Sequence, residues 1–576
     1  MASESVGENQ IISLESANYD KGVAKIKAEF VLPNAKKEEA DGEPESKKPR
    51  KVKGRQRGQN KARGVPWRAD PRKQVCVSLV DVREGEAWPS QGCGRHQCPA
   101  VHDAAAFLAA KPADLGARCH LFETLGRCPR GLACRFGSHH LTPEGFNRVD
   151  PRLYDPERPP STSNQLDKDV QNDLRKHKYD FGESEQACQQ AKADQSAQQK
   201  EGSEKSLGPV SDADLITLKP EEKPKIDWRD KLYLSPLTTL GNLPYRRICK
   251  QFGADVTCGE MAVATSILQG LPQEWALVRR HESEDLFGAQ VCGNNPLVMA
   301  KCAQVLAEQT DLDFVDINMG CPIDLIYQQG AGSALLRRHN VLQQMVKAMA
   351  KVAPIPVTIK TRTGVYSDKR VAHSLIPKLK TWGVSLITLH GRSREQRYTK
   401  SADWEYIDEC AGLAAPIPLF GNGDILSFED YNAKRQLGKN ISGVMIGRGA
   451  LIKPWIFTEI KEQRNWDISS QERLQILKDY TNFGLEHWGS DDKGVENTRR
   501  FLLEWLSFLY RYIPVGVLER PPQNINERPP LYRGRDDLET LMASPNCADW
   551  VKISEMLLGP LPDGFQFVPK HKANAW

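Results

Sequence analysis

The sequence predicts an α/β protein: a (β/α)8 TIM barrel, with a helical domain after it and two metal-stapled modules before it. Three observations carry this. Eight short apolar runs recur over residues 231–450, each followed by a small or polar loop and then a helical pattern. After about Asn465 the strand pattern stops and two long helical stretches follow. Six of the fourteen cysteines fall between Cys76 and Cys134. A doubly wound open sheet is the alternative fold. Eight units and the lack of an early GxGxxG fingerprint count against it.

In chain order, residues 1–72 read as a disordered basic tail. Twelve Lys/Arg and one acid lie between Lys47 and Lys73, although the whole chain carries a formal charge of only +5. Such a block serves as a nucleic-acid arm, a nuclear-import signal or a solubilising tail. The apolar share of 39% is below the usual ~45–50%, as expected for a core diluted by polar segments. No run approaches the ~18 apolar residues of a membrane span. The first thirty residues carry acids and no apolar signal region. Cysteine usage then points to metal and thiol chemistry inside the cell, in cytoplasm or nucleus, rather than to disulfides.

Residues 73–145 hold two Cys/His clusters. Cys119, Cys128 and Cys134 precede His139 and His140 as C-x8-C-x5-C-x4/5-H. Three thiolates and an imidazole suit tetrahedral Zn2+. The gaps are too short for a separate core, so the metal would hold the fold. Either histidine could bind; His140 is preferred. The upstream set is Cys76, Cys93, Cys98 and His102, with His96 as a bystander. The clusters resemble CCCH zinc fingers, whose usual target is single-stranded or loop RNA. Phe122, Arg127, Arg135 and Phe136 are candidates for base stacking. A protein-docking module is the alternative.

Residues 146–224 read as a polar linker in which LDKDVQNDLRKHKYDF forms a short docking helix. The barrel occupies 225–464. Its strands are KLYLSPL, ADVTCGEM, LFGAQVCG, FVDINMGCP, PVTIKTRTG, SLITLHGRS, PLFGNGDI and GVMIGRGA. Residues 465–576 form the helical domain and tail, with Ser469 or Ser470 as a helix cap and Arg499, Arg500 and Arg511 as phosphate-binding candidates.

Barrel chemistry sits at the C-terminal ends of the strands. Those ends present Ser235 to Thr238, Gln290, Asn318 to Pro322, Lys360 and Arg362, His390 to Arg392, Gly421 to Asp424, and Gly447 to Gly449. The GNGD and GRG loops let backbone N–H groups approach a phosphate, with Arg448 adding charge. Lys360 lies in a strand that reads as buried, so it needs a partner: an electron-rich cofactor ring or an acid elsewhere in the barrel. Cys321 is presented where a strand stops, with Gly320 permitting the tight exit and Pro322 stiffening it.

SPLTTLGNLPYRR, NMGCPID, KTRTG, LHGR, GNGDI and GRGAL, in this order, resemble the flavin-dependent tRNA-dihydrouridine synthases. The fingers, FLLEWLSFLYRYIPVG and the docking helix resemble the eukaryotic branch acting on variable-loop position 47. The resemblance implies FMN, with NADPH or NADH as reductant. It implies that Pro236, Leu237, Thr238, Gln290, Lys360, His390, Asn422, Gly423, Asp424, Gly447 and Arg448 hold FMN. Cys321 would be the proton donor, and Asn318 would border flavin and base. The implied partner is tRNA, with mRNA a further candidate; no membrane is implied and a monomer is favoured. An RNA-binding protein with an inactive barrel, and a reductase of small pyrimidines, are the competing readings.

Overall fold

The computed structural model describes residues 22–32, 67–89, 93–94, 97–200, 225–396, 398 and 400–570. Eight strands form the barrel: Leu232–Leu234 (β1), Thr257–Cys258 (β2), Phe287–Cys292 (β3), Phe314–Asn318 (β4), Val357–Arg362 (β5), Val384–His390 (β6), Leu419–Asn422 (β7) and Gly443–Ile446 (β8). They pair in parallel in the order β1-β8-β7-β6-β5-β4-β3-β2. A parallel bridge between Tyr233 and Val256 closes the ring.

Side chains alternate in and out along a strand, so the inward positions stack in layers. At the N-terminal end Tyr233, Phe314, Leu386 and Phe420 are buried together and Trp228 plugs them, 5.4 Å from the Phe314 ring and 6.2 Å from the Phe420 ring. Two residues further along, the layer turns polar. Asp316 accepts from Thr358 Oγ1 at 2.6 Å and Gln290 Nε2 at 2.7 Å, and Gln290 Oε1 accepts from Asn318 Nδ2 at 2.7 Å. The apolar layer closes one end, and the hydrogen-bonded layer forms the floor beneath the catalytic end.

Helices Lys168–Arg175 (α1) and Gly182–Lys200 (α2) precede the barrel. Leu243–Gln251 (α3), Pro296–Gln309 (α4), His339–Val352 (α5), Ala372–Leu379 (α6), Trp404–Ala414 (α7), Phe428–Leu437 (α8) and Arg448–Ile452 (α9) wrap it. The polar stretch expected as a linker is, up to Lys200, largely helical. Ser184, Ala187, Cys188, Ala191 and Gln195 of α2 are buried. Ser184 Oγ donates to Gln304 on α4 at 2.6 Å, and Gln195 Nε2 donates to Gln343 on α5 at 3.0 Å. Small residues and paired amides let this helix dock without an apolar stripe. The α1 helix docks too, through Gln171 to the Gly270 carbonyl. Residues 201–224 lie outside the described residues.

Ser470–Trp488 (α10), Asp492–Leu509 (α11), Asp537–Ala543 (α12) and Cys547–Leu558 (α13) make the C-terminal domain. Ser469 is the cap of α10, in a complete capping box with Glu472. Trp505 packs between Tyr245 of α3, edge-on, and Tyr480, tilted, and donates to the Leu451 carbonyl at 3.0 Å. Barrel and helical domain thus share one core.

The tail expectation is corrected at its N-terminal part. Ala24 and Ile26 are buried against Ile513, Val517 and Tyr532, with bridges from Val23, Ile26 and Val31 to Arg528, Leu518 and Tyr532. Alternation in VAKIKAEF turns Ala24 and Ile26 inward and leaves Lys25 and Lys27 outside. Most of the basic block, residues 47–66, lies outside the described residues. Among the described residues no helix is long and apolar enough to cross a membrane.

Candidate active site and metal sites

Cys321 follows the end of β4 and is 9% exposed. Its N–H donates to Asn318 Oδ1 at 2.9 Å, and its carbonyl accepts from Ser333 Oγ at 2.9 Å. Arg362 Nε donates to the Gly320 carbonyl at 2.7 Å. The loop is therefore held from both sides. Gly320 is not what permits the turn: its φ is not positive, and a Cβ there would make ordinary contacts of 3.6 Å or more. The glycine this loop needs is Gly332, at φ +58, whose added Cβ would lie 3.1 Å from Cys321 Cβ. Burial pushes the Cys321 thiol above its ordinary pKa, while the Ile323 N–H and the charges of Arg362, Lys360 and Arg394 pull the other way. The thiol stays protonated at neutral pH.

Lys360 is opposite Asn318 in the β4–β5 register. Its hydrogen bond among the described residues is to Asn422 Oδ1, at 3.5 Å. Burial and then the neighbouring Arg362 lower its pKa to about 8, against the attraction of Asp316. Desolvation raises Asp316 to about 6. Asp316 is bonded to Thr358 and Gln290 instead of the lysine, so the acid-partner alternative for Lys360 is not a direct ion pair. A half-buried, weakly partnered ammonium fits an electron-rich ligand.

His390 is 6% exposed. Burial and then Arg362, Lys360, Arg392 and Arg448 hold its pKa well below the ordinary value, so the ring is neutral. Arg392 is fully buried and grips Asp424 through Nη2 at 2.7 and 2.5 Å. Asp424 also accepts from Arg448 Nη2 at 3.0 Å and from the Ala402 N–H at 2.7 Å. The Asp424 carboxylate thus orients two arginines, and any ligand contact from this residue falls to its backbone. Arg448 lies 3.9 Å from the Tyr398 ring centroid. Gly423 has φ +133, and a Cβ there would sit 2.6 Å from Ala402 Cβ. At Gly447 a Cβ would meet nothing closer than 3.6 Å. The backbone there, at φ −112 and ψ −93, lies outside the regions that side-chain-bearing residues favour, and the space beside it is open to a ligand. Pro236 and Leu237 are half-buried and Thr238 exposed at the mouth, while Gln290 belongs to the polar floor.

The donor set fits a flavin phosphate and ring: backbone N–H groups at two glycine loops, Arg448, and the under-partnered Lys360. A cleft of about 810 Å³ is at the opposite end of the barrel, among Trp228, Pro356, Trp382 and Pro418, which precede strands. A cleft of about 420 Å³ lies at the catalytic end, among Thr363, Tyr366, Gly391 and Gln396. The chemistry, not the size, locates the site.

Both Cys/His sets come together, with ligand atoms within 4.8 Å of one another: Cys76, Cys93, Cys98 and His102, and Cys119, Cys128, Cys134 and His140. The second set selects His140. Asn147 Nδ2 donates to Asp81 Oδ1 and the Cys128 carbonyl, at 2.8 and 2.9 Å, which fixes the amide orientation. Its Oδ1 then accepts from His140 Nδ1 at 2.9 Å. His140 Nε2 is left as a buried lone pair with no hydrogen-bond partner. This is the second-shell arrangement of a metal-bound histidine, so the residues fit zinc. His139 Nδ1 instead accepts from the Cys119 N–H at 3.1 Å. Asn147, just past the expected boundary at 145, was not singled out from the sequence, because nothing in its spacing marks it. Asp316 was missed too, although a polar residue at an inward strand position is a readable signal.

The residues expected to stack on RNA are engaged internally. Phe122 stacks on His140, Phe136 is buried, Arg127 pairs with Asp81 and Arg135 with Asp492. Arg499 is buried too, donating to the carbonyls of Leu558, Gly559 and Pro560 at the end of α13. A small finger and a helix end each need these groups for their own polar satisfaction. The second finger docks on the α10–α11 turn. Ser490 Oγ donates to Cys134 Sγ at 3.1 Å, and Leu121 and Phe136 pack with Leu485, Val495 and Leu558.

A thiol held as an acid beside a cationic, glycine-lined cradle defines a cofactor-using barrel enzyme. A profile described as Dihydrouridine synthase (Dus) matches residues 233–503, and one described as DUS3L CCCH zinc finger domain matches 111–143. The chain is 54% identical over 556 residues to the "tRNA-dihydrouridine(47) synthase [NAD(P)(+)]-like" protein of Homo sapiens, covering 91% of this chain and 84% of that one. It is 50% identical over 592 residues to the protein of that description in Xenopus laevis, covering 100% and 91%. An Arabidopsis thaliana protein of that description is 56% identical over 375 residues, covering 65% and 54%. The chain belongs to the dihydrouridine synthase family.

Proposed function

We propose that this protein reduces the uracil 5,6 double bond to dihydrouridine in tRNA, at variable-loop position 47, using FMN and NADPH, and that zinc holds both fingers. The observation that carries the reading is the Cys321 thiol, fixed as S–H in a barrel mouth that also holds Lys360 and the two glycine loops. FMN, when bound, supplies the hydride equivalent. Arg448 and the backbone of Asn422 to Asp424 and Gly447 would hold its phosphate, and Lys360, neutral His390, Gln290 and Pro236 to Thr238 would hold the rest of the cofactor. Cys321 Sγ delivers a proton to uracil C5, and Asn318 and Arg362 keep its loop in place. The remaining mouth residues exclude water. The base leaves its stack to reach this depth.

The test is mass-spectrometric mapping of dihydrouridine after incubating unmodified tRNA with the protein, FMN and NADPH. Dihydrouridine is expected at position 47 and is expected to vanish with Cys321→Ala, while that variant stays yellow. Product at another position overturns the site, and no product overturns the activity. Undiminished product from Cys321→Ala overturns the acid assignment.

A further inference from the structure

We propose that the loops following β4, β5 and β6 form a ledge that receives the nucleotides flanking the target base. The inference rests on the RNA substrate proposed above.

Five side chains from these three loops interlock beside the Cys321 loop. The Arg394 guanidinium lies 4.0 Å from the Tyr327 ring centroid and pairs with Asp324. Arg337 Nη1 donates to Tyr366 Oη at 3.1 Å and to Tyr327 Oη at 3.4 Å. Arg337 has no ion pair among the described residues, and the Nε of Arg394 is buried without a hydrogen-bond partner. Around them Ile323, Leu325 and Tyr366 are 40%, 64% and 41% exposed. Large apolar side chains left this open, two and four residues from an active-site thiol, need a partner.

The chemistry fits single-stranded nucleic acid. The exposed Tyr366 ring offers a stacking face, and the Arg337 guanidinium, free of carboxylates among the described residues, offers charge to phosphates. Drawing one base into the mouth breaks its stacking with both neighbours, at a cost of a few kcal/mol. A ring face beside the mouth replaces some of that stacking where it is lost. The opposite side, after β7 and β8, is occupied by the cofactor cradle, which leaves this side for the RNA strand.

The test compares Tyr366→Ala, Tyr366→Phe and Arg337→Ala with the parent on unmodified tRNA, with melting temperature as the folding control. Tyr366→Ala is expected to raise KM for tRNA about tenfold with little change in kcat, the effect of losing one stacked base. Tyr366→Phe keeps the ring face and the parent KM. Arg337→Ala raises KM and lowers its salt dependence by about one phosphate contact. In a tRNA carrying 4-thiouridine next to the target base, photo-crosslinks are expected on Ile323–Tyr327 or Tyr366. Parent KM in both alanine variants, or crosslinks confined to other loops, overturns the ledge. Parent protein that forms no dihydrouridine overturns the substrate reading itself, and the ledge with it.

Discussion

Cys321 and Lys360 share one mouth, and burial acts on them in opposite senses. It raises the thiol's pKa and keeps the proton on sulfur. It lowers Lys360 from 10.5 to about 8. Cys321→Ser preserves shape but offers a far weaker acid, so dihydrouridine formation should fall about 10²- to 10⁴-fold. The flavin spectrum should survive; a rate within tenfold of the parent would mean that another group donates the proton. For Lys360 the linkage sign is definite. Between pH 8 and 10.5 the unfolded chain binds the extra proton, so stability rises with pH in that window. Below it the folded protein carries the full cost of a half-buried ammonium. That cost is on the order of 3 kcal/mol at one pKa unit per ~1.4 kcal/mol. Lys360→Met should therefore raise the melting temperature of flavin-free protein at pH 7 and weaken flavin retention. The gain should shrink above pH ~10, and calorimetry at three pH values measures it.

At the level of elements, the loop after β7 tolerates no side chain at its glycine. Gly423 combines φ +133 with a position where an added Cβ would overlap Ala402 Cβ at 2.6 Å. Gly423→Ala should destabilise by roughly 1–3 kcal/mol and release flavin, both readable in one thermal melt followed by flavin fluorescence. What the sequence displayed and what it concealed divide along physical lines. Strands β1 to β8 were legible because buried parallel strands read as apolar runs, and the ends of β4, β5 and β6 exposed Cys321, Lys360 and His390 directly. The cysteine spacing announced both Cys/His clusters. Helix α2 was concealed because it docks through alanine, serine and glutamine, which leave no apolar period. The engagement of Asp424 with Arg392 and Arg448, and the burial of Arg499 under the end of α13, depend on groups 24 to 61 residues away. No local pattern encodes such pairings. Likewise Gly332, not Gly320, shapes the Cys321 loop, because the tight contact comes from a segment eleven residues further on.

Across the whole molecule, the second finger is built into the helical domain rather than onto the barrel. His120 Nε2 donates to Glu486 Oε1 at 2.7 Å, the Arg135 N–H donates to the Ser490 carbonyl at 2.8 Å, and Cys128 Sγ lies 3.5 Å from Ser490 Oγ. The first finger joins it through Val75, Leu79, Phe107 and Leu132. The barrel meets the helical domain separately, through Tyr245, Tyr480 and Trp505. Loss of the second zinc should therefore loosen the α10–α11 turn and leave the flavin cradle intact. His140→Ala should lose one of two zinc equivalents, and His139→Ala should keep both, by metal analysis of the purified proteins. Hydrogen exchange should rise in His140→Ala across residues 485–495, where the finger sits, but not in β5 to β8. Flavin released along with the zinc would instead make the finger part of the barrel's own stability, with Glu486, which meets both His120 and Arg247 of α3, as one route between them.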